Sequence, residues 1–269
     1  MHPVLFEIFE RQIGTFGVFI IIGAAAAWFL IKILDKTKDK DIPLVFLICI
    51  CGGLIGAFLL RPLMKIPEII SNWDYFRQLP IEIALIMIFG ETVFYGGLIG
   101  GVTAMVIYCK IHKLPIIPIA DLFAPALALA HGIGRIGCFF GGCCYGIPVN
   151  PSHPFAVIFP SHTAHPVYIS GITPGTSILA IQLIEASCLF LLTAILVTIY
   201  KKSKTQGLTV CIYGIIYSIL RFILELYRGD FIRGIYGEFS TSQYISMILL
   251  VGSLTFLILL KGRKKKNDY

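Results

Sequence analysis

The sequence predicts an all-α, polytopic membrane protein with about seven transmembrane helices. Of its 269 residues, 57% are hydrophobic and 14% are charged, whereas soluble domains contain about 45–50% apolar and about 25% charged residues. The mean hydropathy is +0.86. Several apolar stretches reach the length of about 20 residues that spans a bilayer as a helix. We therefore predict a single integral membrane domain over residues 1–269.

Seven apolar stretches are the predicted transmembrane helices. They lie at residues 15–34, 43–63, 82–108, 116–138, 176–200, 207–227 and 242–260. Between the second and the third, residues 61–80 carry Trp73, Tyr75 and Phe76, which favours an interfacial segment with these rings at headgroup level. Residues 147–175 contain six prolines and no Lys or Arg, and we expect them to form an outer loop that caps the protein.

Lysines and arginines predict the orientation, because positively charged loops stay in the cytoplasm. Fourteen of them fall on the side of the C-terminus, in residues 32–40, 110–113, 201–204 and 261–266, and six fall in loops on the other side. We expect the N-terminus outside, the C-terminus inside and a basic cytoplasmic tail over 261–269 that touches anionic lipid. The net charge of +7 is thus a topology signal, and we expect no nucleic-acid partner.

Two glycine-rich stretches, GGLIG at 52–56 and GGLIGG at 96–101, place small residues four apart. This spacing is typical of helices whose backbones approach closely in a bilayer, and packing is one interpretation of both stretches. For Gly96 and Gly97 we also predict contact with a phospholipid headgroup, because glycine lets a ligand approach the backbone.

Charged residues inside the apolar stretches are the first indication of function. A charge at the bilayer centre costs roughly 2.5–3.5 kcal/mol on insertion scales, so a retained charge usually faces a functional cavity. The residues concerned are Glu91, Asp121, Arg135, Glu185, Arg221 and Glu225, with Arg228 at a helix end.

These charges form two polar stripes at helical spacing. His131, Arg135 and Cys138 share one helix face, and Arg221, Glu225 and Arg228 share another. One interpretation is that the stripes neutralise each other, for instance by pairing Glu225 with Arg135. The three arginines, however, outnumber the one carboxylate, and a guanidinium fork suits phosphate. Because the phosphate met at that depth is a phospholipid headgroup, we predict a lipid-phosphate site that includes Arg135, Arg228 and Asp121.

Three of the eight cysteines, Cys138, Cys143 and Cys144, are clustered in sequence. Their spacing is not that of a zinc site such as C-x2-C, so we expect neither a metal nor another cofactor. Packing of small residues among glycines is the main interpretation. The alternative is a covalent role, in which Cys143 accepts a group or forms a disulfide.

An ordered set of motifs over nearly the whole chain resembles the prolipoprotein diacylglyceryl transferase family. The motifs are YGGLIGG at 95–101, ADLFAP at 120–125, GRIGCF at 134–139, QLIEA at 182–186, RFILELYRGD at 221–230 and FSTSQYIS at 239–246. The resemblance implies a seven-helix bacterial plasma-membrane enzyme that moves the diacylglyceryl group of phosphatidylglycerol onto the thiol of the lipobox cysteine in a prolipoprotein signal peptide. It further implies that Arg135, Arg221 and Glu225 belong to the catalytic site.

The sequence departs from the family pattern at four polar positions. Cys138, Gly141 and Cys143 stand where the signature G-R-x-x-N-F-x-N-x-E has two asparagines and a glutamate, and Tyr95 replaces the histidine of H-G-G-x-x-G. We therefore predict that His131 takes the role of general base and that Tyr95 donates a hydrogen bond to phosphate. Two alternative functions are a paralogous transferase with another acceptor and a non-catalytic lipid binder or transporter.

Overall fold

Helices make up most of the computed structural model, which describes residues 4–8, 11–37, 40–89, 94–158, 175–229 and 235–267. The described helices are α1 (Thr15–Leu34), α2 (Ile42–Ser71), α3 (Trp73–Phe76), α4 (Ile81–Phe89), α5 (Phe94–Ile111), α6 (Ile116–Gly141), α7 (Ile181–Lys202), α8 (Leu208–Glu225) and α9 (Thr241–Asn267). Three antiparallel strand pairs accompany them: β1 (Val4–Ile8) with β2 (Arg11–Gly14), β3 (Ala156–Ile158) with β4 (Ser177–Leu179), and β5 (Ile235–Tyr236) with β6 (Phe239–Ser240).

The predicted all-α polytopic membrane fold is confirmed. Among the described helices, α1, α2, α6, α7, α8 and α9 are long and apolar enough to cross a membrane, and a shorter apolar helix covers Tyr95–Ile111. The third predicted span, 82–108, is two described helices, α4 and α5. The sequence between them contains Gly90 and Glu91, a poor helix former and a charge, and residues 90–93 lie outside the described part of the chain.

The segments outside the predicted spans differ more from expectation. Helix α2 continues to Ser71, so it takes up half of the predicted interfacial segment. Trp73 and Tyr75 are exposed as predicted, whereas Phe76 is buried. Helix α9 extends to Asn267 and therefore includes most of the predicted basic tail. Of the predicted outer loop, residues 159–174 lie outside the described residues.

The predicted single domain comprises two compact units, Met1–Asp35 with Ile117–Tyr269, and Lys36–Ile116. In the second unit, α2 packs along α5 through glycines. A Cβ atom on Gly52 would lie 2.8 Å from the carbonyl oxygen of Gly100, and one on Gly96 would clash with the carbonyl oxygen of Gly56. Close packing therefore accounts for Gly96, and its predicted contact with a headgroup stays a prediction. Gly97 belongs to the same contact, because its Cβ position is 3.4 Å from the Gly53 carbonyl oxygen.

The core of the first unit lies where α6, α7 and α8 meet. Its fully or nearly buried members come from all three helices: Ala124, Ala128, Leu189, Leu192, Leu196, Tyr213 and Tyr217. Small residues allow further helices to approach: Gly23 of α1 faces the Ala130 carbonyl of α6, and Gly214 of α8 faces Ser253 of α9. This three-helix core supports the polar side chains further along α6, α7 and α8.

Two glycines attach the turn after α6 to β4 and to the residues that follow α8. Gly146 N–H donates to the Leu179 carbonyl at 3.1 Å, and Gly229 N–H donates to the Tyr145 carbonyl at 3.0 Å. A Cβ atom on Gly146 would lie 2.6 Å from the Leu179 oxygen, and one on Gly229 would lie 2.5 Å from the Gly146 oxygen. Both positions therefore require glycine, and the contact fixes the turn beside Arg228.

Candidate functional site

Buried polar side chains from α6, α7 and α8 converge on one carboxylate, Glu185. His131 and Arg135 come from α6, whereas Arg221 and Glu225 come from α8, and all five residues are at most 8% exposed. Helical spacing explains the two pairs, because residues four apart lie on the same helix face. The structure thus brings together the two polar stripes that the sequence predicts.

Glu185 joins the two stripes. Its Oε2 lies 3.1 Å from Arg135 Nε and 3.8 Å from Arg221 Nη1, and its Oε1 lies 3.8 Å from His131 Nε2. The sequence interpretation noted Glu185 as a costly charge but gave it no site role. Glu185 has no charged neighbour at helical spacing on α7, so the tertiary contacts reveal its position.

Glu225 forms a second ion-pair centre on α8. Its Oε2 lies 2.6 Å from Arg221 Nη2 and 3.6 Å from Arg228 Nη1. Arg221 Nη2 also donates to Ser242 Oγ of α9 at 3.1 Å. In this described cluster, three guanidiniums face two carboxylates, so Glu185 reduces the positive surplus predicted from the stripes to one charge.

Two guanidiniums in the cluster retain donors that could bind an external anion. The contacts of Arg135 to Glu185 and His131 both use Nε, so they do not require the terminal nitrogens that form the phosphate-binding fork. Arg221 Nη1 is buried and has no hydrogen-bond partner among the described residues. A buried donor without a partner is costly, and a phosphate oxygen would satisfy it.

His131 contacts its neighbour on α6 through the ring nitrogen Nε2. Arg135 Nε donates to His131 Nε2 at 3.3 Å, so Nε2 is an acceptor and the ring proton resides on Nδ1. A general base would need that same Nε2 lone pair. The contact therefore favours a role for His131 in positioning Arg135 and weighs against its predicted role as a base.

Tyr217 is a site residue that the sequence did not predict. Its ring meets the His131 ring edge to face with centroids 5.1 Å apart, and it stacks on Tyr213 at 5.7 Å. The Tyr217 hydroxyl is buried without a hydrogen-bond partner within the described ranges. Because tyrosine is a frequent core residue, the sequence alone gave no signal to distinguish it.

Asp121 has a structural task at the opposite end of α6 from Arg135. Its two carboxylate oxygens accept hydrogen bonds from the backbone N–H groups of Gly207 and Val210, which are otherwise unpaired at a helix start. Gly207 has a φ of +88° and leads directly into α8. Capping therefore accounts for the buried carboxylate of Asp121, and its predicted contact with phospholipid stays a prediction.

Tyr95 and Gly97 lie near the start of α5, in the unit Lys36–Ile116. Gly97 packs as described above, and the predicted hydrogen bond from Tyr95 to phosphate stays a prediction. Glu91, one of the predicted intramembrane charges, lies outside the described residues.

The clustered cysteines come together where α6 ends, with Cys138 on its last turn and Cys143 and Cys144 in the turn that follows. The Sγ atoms of Cys138, Cys143 and Cys144 all lie within 4.8 Å of one another. Hydrogen bonds from the Cys138 and Cys143 thiols, together with the positive charges of Arg228 and Arg135, lower the pKa of the Cys144 thiol. No disulfide joins cysteines in the described part of the chain.

Comparison with known proteins identifies relatives along the full chain. The family model described as prolipoprotein diacylglyceryl transferase matches residues 3–259. A phosphatidylglycerol–prolipoprotein diacylglyceryl transferase of Clostridium tetani is 34% identical over 262 residues, covering 96% of this chain and 98% of the relative. A second such enzyme, from Clostridium perfringens, is 34% identical over 274 residues and covers all of both chains. One from Staphylococcus haemolyticus is 31% identical, covering 96% and 88%.

Proposed function

This chain belongs to the prolipoprotein diacylglyceryl transferase family, and we propose that Arg135 and Arg221 bind the phosphate of its phospholipid donor. The protein is a membrane-embedded transferase that moves the diacylglyceryl group of phosphatidylglycerol to a prolipoprotein. The observation that supports the proposed roles is the buried cluster around Glu185, in which three guanidiniums face two carboxylates.

The reaction is a nucleophilic displacement at the glyceryl carbon that bears the phosphate. The acceptor sulfur forms a bond to this carbon while the carbon–oxygen bond breaks, and the electron pair leaves with the phosphate oxygen. Negative charge therefore grows on the phosphate in the transition state. Fixed donors aimed at such developing charge are usually the largest single contribution to catalysis.

Arg135 and Arg221 suit this task because their charges are already oriented. Glu185 contacts both guanidiniums, and Glu225 and Ser242 hold Arg221 from the other side. These contacts fix the rotamers before substrate binds, so little reorganisation is needed during the reaction. We assign Glu185, Glu225 and His131 as positioning residues, and the Tyr217 hydroxyl as a further donor to the bound headgroup.

The acceptor in this proposal is the thiol of a lipobox cysteine in the signal peptide of a prolipoprotein. A thiol has a reference pKa of about 8.5, so it needs only modest activation near neutral pH. For the orientation, we propose the N-terminus outside and the C-terminus in the cytoplasm, because fourteen of the Lys and Arg residues fall on the C-terminal side. An outward site would meet prolipoproteins as they leave the cytoplasm.

The experiment measures transfer from phosphatidylglycerol to a lipobox peptide with purified full-length protein. We expect Arg135→Ala and Arg221→Ala each to lose about 10²–10³-fold in rate, as for the loss of one oxyanion donor. Arg135→Lys should recover little, because an ammonium does not reproduce the guanidinium fork. Arg77→Ala is the matched control, since Arg77 is exposed and pairs with Asp74. Full activity in folded Arg221→Ala protein would refute the proposed phosphate site.

A further inference from the structure

The turn after α6 gathers three thiols at one point. The Sγ atoms of Cys138, Cys143 and Cys144 lie within 4.8 Å of one another. Cys138 is 7% exposed, whereas Cys143 and Cys144 are half-buried, so the cluster has one inner and two outer members. The other five cysteines lie on α2, α5, α7 and α8, and among the described residues none of them belongs to such a group of three.

The backbone of the turn is shaped to bring these thiols together. Helix α6 ends at Gly141, after which Gly142 has a φ of +71° and Cys144 a φ of +58°. A positive φ is uncommon outside glycine, so the surrounding contacts must hold Cys144 in place. Cys143 N–H donates to the Cys138 carbonyl at 3.1 Å, and Gln182 Nε2 donates to the Cys143 carbonyl at 2.8 Å.

Packing of small residues does not explain this arrangement. Glycine at position 144 would adopt this positive φ without strain, and nothing in packing requires three sulfur atoms to face one another. Three convergent thiols are instead the ligand set of a soft or borderline cation. Thiolates on one zinc ion, with Zn–S of about 2.3 Å, lie about 3.8 Å apart in a tetrahedral site, a spacing that small side-chain rotations give here.

We propose that Cys138, Cys143 and Cys144 bind one thiophilic divalent cation such as Zn²⁺, and that the open fourth position accepts the thiolate of the acceptor cysteine. The second half of this inference rests on the proposed function. The sequence spacing did not predict a metal, because the site depends on the turn and not on a C-x2-C repeat.

An open position is what distinguishes catalytic zinc sites from closed structural ones. Binding of the cation releases the three thiol protons to solvent, and binding of the acceptor releases a fourth, since a coordinated thiol is deprotonated. The bound sulfur then attacks the glyceryl carbon, and the carbon–oxygen electron pair leaves with the phosphate. The product is a thioether, a weaker ligand than thiolate, so it dissociates from the cation.

The position of the cluster agrees with such a role. Cys138 lies one turn after Arg135 on the same face of α6, and the turn is attached to Arg228 by the contact between Gly146 and Gly229. A divalent cation with four thiolates carries two negative charges, and the one surplus positive charge of the neighbouring arginine cluster offsets part of them. The thiolate and the phosphate that it displaces would then be bound by neighbouring groups.

The test uses full-length, reduced protein in detergent and Co²⁺ as an optical probe. We expect one Co²⁺ per chain, with sulfur-to-cobalt charge-transfer absorption and the visible bands of a tetrahedral site. Cys143→Ser and Cys144→Ser should lose the charge-transfer absorption, and Zn²⁺ should displace the probe. Cys51→Ser is the matched control, because Cys51 is exposed on α2 in the other unit. Circular dichroism and size-exclusion chromatography establish that the variants are folded, and Cys143→Ala provides a second variant.

The fourth position is tested by adding a lipobox peptide to the Co²⁺ protein. The charge-transfer absorption should increase with a peptide that contains cysteine and stay unchanged with the same peptide containing serine. Absence of a thiolate band in fully reduced wild-type protein would overturn the metal site, and an unchanged band with the cysteine peptide would overturn the open position. Failure of transfer in wild-type protein whose thiolate band is intact would instead count against the proposed function.

Discussion

Replacement of Glu185 by Gln gives a sharp test of the buried cluster. The substitution keeps the shape of the side chain and removes the charge that Arg135 and Arg221 share. At an effective dielectric of about 20, each ion pair at 3.1 and 3.8 Å has a gross Coulomb energy of about 4–5 kcal/mol. Removing one partner of a buried pair typically costs about 3–5 kcal/mol, and we expect Glu185→Gln to lower the free energy of unfolding by this amount.

The same substitution separates binding from turnover. The cluster gains one net positive charge, so its affinity for phosphatidylglycerol should stay the same or rise. The two guanidiniums lose their common anchor, and a misplacement of about 1 Å at a reacting group costs about 10²-fold in rate. We therefore expect KM for the lipid to be unchanged or lower, while kcat falls by about two orders of magnitude.

The measurements are unfolding followed in detergent, lipid binding in nanodiscs that contain phosphatidylglycerol, and transfer to a lipobox peptide. Glu82→Gln is the control, because Glu82 is an exposed carboxylate on α4. Wild-type turnover together with a change in unfolding free energy below about 0.5 kcal/mol, the range of a neutral surface substitution, would refute the role of Glu185 as the shared anchor.

Three further predictions follow from individual contacts. His131→Gln should keep the pH profile of kcat, because the Gln oxygen can accept the Arg135 hydrogen bond. Loss of the acidic limb of this profile would instead indicate that His131 acts as the general base. Asp121→Ala should lower the free energy of unfolding by about 0.5–2 kcal/mol, the usual cost of a lost helix cap, without altering KM for phosphatidylglycerol. Labelling of residue 153 only from outside the cell would support the proposed orientation. Labelling of this residue only from the cytoplasm would show that the orientation is the opposite one.

The sequence predicted where the long helices lie better than it predicted which helices pack together in one compact unit. Long apolar stretches determine α1, α6, α7, α8 and α9, because the bilayer requires helices of this length. The span predicted over 82–108 corresponds to two described helices, α4 and α5, and residues 90–93 between them lie outside the described part of the chain. The division into two compact units was also not predicted, because it depends on which helices contact one another and not on any local pattern.

The site was predictable only where two polar residues share one helix face. Arg135 and Arg221 were found because a buried charge is costly and each has a polar neighbour four residues away. Glu185 and Tyr217 were missed, since Glu185 pairs with side chains of α6 and α8 and Tyr217 meets His131 of α6, contacts that only the tertiary structure reveals. The approach of Cys138 to Cys144 depends on two residues with positive φ beyond the end of α6, and sequence spacing does not contain that information.

The two buried carboxylates have a purpose beyond neutralising arginines. A phosphodiester carries one negative charge, and the phosphate that leaves becomes a monoester with about 1.5 to 2 negative charges near neutral pH. A cluster with many unpaired arginines would bind the donor tightly in the ground state and gain little in the transition state. With three guanidiniums facing two carboxylates, the surplus is one charge, and the carboxylates orient the donors. In the proposed phosphate site, this arrangement favours the charge that develops as the carbon–oxygen bond breaks.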